Sequence, residues 1–305
     1  MAKESYSQRR KIGRSLAIES GKALKQDKAV ILVPLIAFVV QIAVIVVAAL
    51  VYLLTLPLWA QGNNSQPVLI SMGAIMLIVF AFINVFSQAV VMGMANERFA
   101  GNDPKLGDSV ANASKHFASL GLYAFLEAAV GLLMRMLHNA GKNTTWLSLF
   151  TNLLAFFGGM FWAIATYFTI PGILFGNLSA IDSIKNSIKL IKEKWGPALR
   201  VNVVAAAFVF IGYILAFIGL MGSVALVASV PYGTDPRPNQ IAAVSLALLS
   251  LLAILLITLI QSTLFSYIKV ALYRFATGQP LPNFDTSNLE QAFVVRKKWI
   301  DGVLE

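Results

Sequence analysis

The stretch "GLYAFLEAAVGLLMRM", Gly121 to Met136, sets one carboxylate, Glu127, inside an otherwise apolar run. A carboxyl group surrounded by hydrocarbon needs a partner or a proton. The chemistry open to it is hydrogen bonding, contact with an ion in a wet cavity, or proton transfer. At 1.5 Å of rise per residue, Glu127 lies roughly 15 Å from the inner end of its run, near a bilayer midplane, and Gln41 reaches about the same depth in the first run. These two form a candidate intramembrane polar site. Arg135 lies about 12 Å further along and some 80° around the helix, too far for an intrahelical pair, and its long stem reaches the outer surface. Glu127 is then a neutral carboxyl hydrogen-bonded to Gln41 or a backbone carbonyl, a residue lining a solvated cavity, or a proton-coupling site. A second polar set falls nearer the inner side: Asn84, Gln88, Thr166, Tyr167, Thr169, Asn202, Gln261 and Ser262. It reads either as interhelical hydrogen-bond glue or as an inward-open vestibule closed by Glu127 and Gln41.

The elements that must carry these residues are membrane spans. The 305 residues are 58% hydrophobic and 12% charged, about half the charged fraction of an ordinary soluble domain. Six runs reach the roughly 20 residues a crossing requires: 29–59, 67–96, 117–138, 147–175, 197–230 and 240–273. The connections are too short to bury a core of their own. The expected organisation is a basic segment, 1–28, a six-helix domain, 29–276, and a tail, 277–305. The first run is far longer than a signal-peptide core and is read as an uncleaved span.

Chemistry is narrowed further by what the chain lacks. There is no cysteine, which excludes disulfides and thiolate catalysis, and the two histidines, His116 and His138, sit near opposite ends of the third run. No paired-carboxylate site, Gly-rich nucleotide loop or nucleophile beside a histidine is present. The expectation is a protein that is not an enzyme, with no catalytic residues, metal site or cofactor.

Positive charge is retained on the cytoplasmic side of a membrane. Of the 24 Lys and Arg residues, all but Arg135, Lys142 and Arg237 fall on one side of the six runs. That predicts a multi-pass protein of the cytoplasmic (inner) membrane with both termini cytoplasmic. The net charge of +10 is dispersed and not interleaved with stacking aromatics, which argues against nucleic acid and for anionic lipid headgroups. Arg9, Arg10, Lys11, Arg14, Lys185, Lys189 and Lys192 are the candidate lipid contacts. The small-residue faces leave room for a homo-oligomer or another membrane protein as partner.

The inner connections share a pattern. In "SAIDSIKNSIKLIKEKWGP", Ile181, Ile184, Ile188, Ile191 and Trp195 recur at helical spacing, with Lys185, Lys189 and Lys192 on another side, as suits a helix lying among headgroups or one packed on the protein's own loops. Ser179 and Asp182 make a capping-box pattern at its start. "GDSVANASKHF" repeats the Asp-Ser-x-x-Asn of "IDSIKNSIKL", and "ERFAGNDPKLGDS" is echoed by "YRFATGQPLPNFDTS". These echoes predict an all-α fold of three hairpins, each preceded by a cytoplasmic amphipathic helix. Pro34 and Pro171 predict bends near the inner ends of the first and fourth spans.

The basic start, "KALKQDKAVILVPLIA", "VVMGMANERFAGNDPKLGDSVANASKHF", "FWAIATYFTIPGIL" and "AIDSIKNSIKLIKEKWGPAL" together resemble a bacterial family of six-span membrane proteins known only as a domain of unknown function. More distantly, the arrangement is similar to the membrane domain attached to some glycerophosphodiester phosphodiesterases; the catalytic domain of those enzymes is not present here. The resemblance implies architecture and transfers no active residues. Two functions are expected from the residues: organisation of lipid or partner proteins through basic interfacial helices, or a channel or permease for a small solute or ion.

Overall fold

The computed structural model describes residues 20–22, 27–59, 65–140, 145–194, 199–229 and 237–281. Arg9, Arg10, Lys11 and Arg14, and most of the 277–305 tail, lie outside the described residues. In lipid the backbone has no water to bond, so an apolar chain satisfies its amides within helices. After a 3₁₀ turn, Lys28–Ile31, the described residues form the helices α1 Leu32–Trp59, α2 Ser65–Phe99, α3 Leu106–Lys115, α4 Phe117–Ala140, α5 Thr145–Ala165, α6 Thr169–Gly176, α7 Ala180–Lys194, α8 Leu199–Ala228 and α9 Arg237–Ala276. No strand occurs among the described residues. Six segments are long and apolar enough to cross a membrane: 29–55, 67–99, 117–139, 148–176, 209–228 and 237–276.

The chain forms two compact bodies, one of Gln26–Gly196 with Lys269–Phe284, the other holding Pro197–Ile268. In the second, α8 and α9 are joined by the Tyr213 hydroxyl, 2.9 Å from both Thr258 Oγ1 and Gln261 Oε1. Gly212 and Gly219 admit Ile257 and Ser250 there at close range, as small residues do between membrane helices. In the first body α1 packs on α2, α2 on α4, and α4 on α5. Its core is gathered around Val85–Ala95 of α2, Leu120–Ala128 of α4, Phe168–Leu174, and the last turns of α9. Away from that core large apolar side chains are exposed, such as Leu54, Ile70 and Phe161, the surface a lipid-facing helix presents.

Both prolines open helices and do not bend them. Pro34 falls in the first turn of α1 and Pro171 in the first turn of α6, where the missing N–H has no acceptor to lose. The expected bend at Pro171 is therefore a break. α5 stops at Ala165, three residues turn, and α6 starts at Thr169.

α7 is fastened to that break. The Phe168 backbone N–H donates to Ser187 Oγ at 3.0 Å, and Ser183 Oγ donates to the Thr169 carbonyl at 2.7 Å. The buried face of α7 is Ala180, Ser183, Ser187 and Leu190. Of the isoleucine stripe, Ile181 is 51% exposed, and Trp195 lies outside the described residues. The side of α7 held by the bundle is made of small residues because backbone comes close there. A Cβ on Gly172 would stand 2.1 Å from Ser183 Oγ. α3 docks in the same way on α2, with Ser109 buried and its Cβ 3.3 Å from where a Gly93 Cβ would be. The Asp-Ser-x-x-Asn echo thus corresponds to two serines seated on two glycines. The second echo also has a structural counterpart: α2 and α9 are each followed by a glycine with positive φ, Gly101 at 90° and Gly278 at 74°. Arg98 binds Asp27 and Asp103, and Arg274 binds the Asn96 side chain and the Pro280 carbonyl.

Candidate functional site

Glu127 has a partner on its own helix. Tyr123, one turn earlier on α4, donates its hydroxyl hydrogen to Glu127 Oε1, the i, i+4 spacing that brings side chains together on one face. Thr166, in the break after α5, donates its hydroxyl hydrogen to the Trp162 carbonyl at 2.8 Å. Lys269 of α9 stands with its ammonium 5.3 Å from the centroid of the Tyr167 ring, the distance at which a ring face attracts a cation.

Gln41 or a backbone carbonyl is the partner expected in one of the three readings of Glu127; the structure gives Glu127 a hydrogen bond from Tyr123, while Gln41 is half-buried on α1. Glu127 falls near the middle of the candidate span 117–139, and Thr166 and Tyr167 lie within the candidate span 148–176.

Of the proposed vestibule residues, Thr166 and Tyr167 lie in the turn between α5 and α6. Gln88 is half-buried and Asn84 exposed on α2. Gln261 belongs to the second body, bonded to Tyr213, and the side chain of Asn202 lies outside the described residues. Lys269 is the residue sequence reasoning missed, since it was counted with the inner-face cations. The helical pattern running on to Ala276 was the signal that it sits seven residues inside a helix end.

An aromatic run leads away from the α5–α6 turn. Tyr167 meets Phe168 with centroids 5.0 Å apart, Phe168 meets Tyr273 at 5.8 Å, and Tyr273 meets Phe175 at 6.1 Å. Phe175 in turn lines a cleft of about 490 Å³ that carries Glu97, Asp103 and Asp108 against one lysine, Lys105.

The model of DUF6159, a family of unknown function, matches residues 68–280, more than half of the chain. The chain belongs to this family. The segment shared with the family contains Tyr123, Glu127, Thr166, Tyr167 and Lys269 and all of α7, and it leaves out Gln41 and the basic N-terminal residues. Comparison with curated proteins and with solved structures gives no match. The expected distant likeness to phosphodiesterase membrane domains is not shown by these comparisons.

The family segment also carries the lysines of α7. Lys185, Lys189 and Lys192 are exposed, and Lys185 is 3.5 Å from Asp182. At the start of α7 Ser179 donates to Asp182 Oδ2 at 2.7 Å and accepts from the Asp182 backbone N–H at 3.2 Å. The Ser179 hydroxyl, with Lys185 second, holds the Asp182 carboxyl below its ordinary range.

Proposed function

We propose that the protein is a non-enzymatic integral membrane protein that gathers anionic lipid at the cytoplasmic face, with α7 as its platform. The observation that carries this reading is the three-sided character of α7. At about 100° per residue, the lysines lie roughly opposite the buried Ala180, Ser183, Ser187 and Leu190, and the isoleucines lie about a quarter turn from that buried side. One side is held by the bundle, the next offers Ile181 and Ile188 to acyl chains, and the third offers cations to headgroups. That division suits a helix in the interface plane. Arg9, Arg10, Lys11 and Arg14 extend the same basic face in sequence, and both termini are read as cytoplasmic.

Each lysine near an anionic surface contributes about 1 kcal/mol. Replacing Lys185, Lys189 and Lys192 together by Gln should therefore weaken binding of spin-labelled phosphatidylglycerol by about a hundredfold, with the remaining binding less sensitive to salt. Equal binding by the triple variant and the wild type would end this reading. A second reading, a permease for a small solute or ion, is favoured by two ionisable residues, Glu127 and Lys269, within candidate spanning helices. It predicts solute or proton flux in reconstituted liposomes that Glu127→Gln alters, and flux indistinguishable from protein-free liposomes would remove it.

A further inference from the structure

The end of α2, the turn that follows it, α3 and Phe175 of α6 enclose the cleft of about 490 Å³, within the size range of small-molecule sites. Its walls are held by contacts of their own. Gly93 and Ser109 seat α3 on α2. Asn102 donates to Glu97 Oε2 at 2.8 Å, Arg98 donates to Asp103 Oδ1 at 3.0 Å, and Arg274 donates to Asn96 Oδ1 at 2.7 Å. Glu97 and Asp103 each keep a second carboxylate oxygen for another donor, and Asp108 has no ion-pair partner among the described residues. A cleft built in advance spares a ligand the cost of ordering it.

One group on its floor is unanswered. Ser109 lines the cleft and is only 4% exposed. Its hydroxyl, unlike those of Ser183 and Ser187 on α7, has no hydrogen-bond partner among the described residues. A buried hydroxyl in that condition costs free energy that a ligand's N–H recovers.

The lining sets the sign and the shape of the ligand. In a chain of +10, Glu97, Asp103 and Asp108 stand here against Lys105 alone, so the cleft attracts cations where the rest of the molecule repels them. The carboxylates do not gather at one point. Among the described residues no three acidic or histidine side chains could hold a metal ion together, whereas magnesium and calcium require six or more oxygens about one centre. Separated carboxylates suit separated ammonium groups, and the Phe175 ring offers a face to a cation or to the methylenes between two of them. We propose that the cleft binds a linear aliphatic polyamine, with its ammonium groups on Asp108, Glu97 and Asp103 and an N–H donated to Ser109 Oγ. The site lies within the segment shared with the family and does not rest on the lipid platform of α7.

Spermidine is the probe, titrated calorimetrically into the full-length protein in nanodiscs of phosphatidylcholine, a lipid without net charge. Saturable binding is expected, and Asp108→Asn should weaken it about tenfold. Ser109→Ala keeps the Cβ that sits on Gly93. It should weaken binding about fivefold and leave the Tm of the ligand-free protein unchanged, because the hydroxyl has no bond to lose; a serine with a merely structural role would show the reverse. Lys105→Gln, at an exposed position, should tighten binding about two- to fivefold, and it carries the test should Asp108→Asn fail to fold. No spermidine binding, binding that neither Asp108→Asn nor Lys105→Gln alters, or equal binding of magnesium chloride overturns the proposal.

Discussion

The Thr169 hydroxyl is buried in the α5–α6 break with no hydrogen-bond partner. A buried hydroxyl left unsatisfied costs about 1–3 kcal/mol, and valine has nearly the same shape without the polar atom. Thr169→Val should therefore raise thermal stability, by an amount equivalent to about 1 kcal/mol, where most core substitutions lower it. A fall in Tm would show that the hydroxyl has a role the static arrangement hides. Asp182 makes the opposite kind of prediction. Its carboxyl is held below the ordinary range by Ser179 and Lys185, so its contribution to the α7 N-terminus is present above the unfolded-state pKa and is lost as pH falls through the lower folded value. Amide exchange at Ser183 should accelerate in that acid window, and Asp182→Asn should remove the acceleration. Single residues were unevenly legible. Glu127 and the Ser179–Asp182 cap announce themselves, the first by charge in an apolar run and the second by short-range spacing. Tyr123 and Lys269 do not, because a tyrosine one turn away and a lysine near a span end are each ordinary until their side-chain contacts are seen.

At the scale of elements, what was hidden is the contact made by small residues. The isoleucines of α7 have the right spacing to be a buried stripe, and hydrophobicity alone chooses them. Ser183 and Ser187 take that place because only a short side chain lets α7 reach the backbone of the break and satisfy it. The docking is testable as a pair. Gly172→Ala pushes a methyl against Ser183 Oγ, and that oxygen turns away only by giving up the Thr169 carbonyl. The substitution should cost about 1–3 kcal/mol, more than Gly93→Ala, whose nearest contact is 3.3 Å. Adding Ser183→Ala should relieve part of the clash, so the double variant should be less destabilised than the sum of the singles. Additive losses would place the strain elsewhere. The helix break itself was half legible. Pro171 marks the place, but a proline serves equally as the bend of one helix or the opening of another, and only the bonds from α7 decide between them.

For the whole molecule, six membrane-spanning helices follow from run length and composition, and the structure bears that out. The α7 lysine substitutions belong to this scale, since their effect grows with the charge of the surrounding bilayer and not with any one contact. The hydrogen bond between Tyr123 and Glu127 also has a consequence in time. Both residues lie on α4, one turn apart, so the carboxyl group meets its partner as soon as that helix is made and waits for no later span.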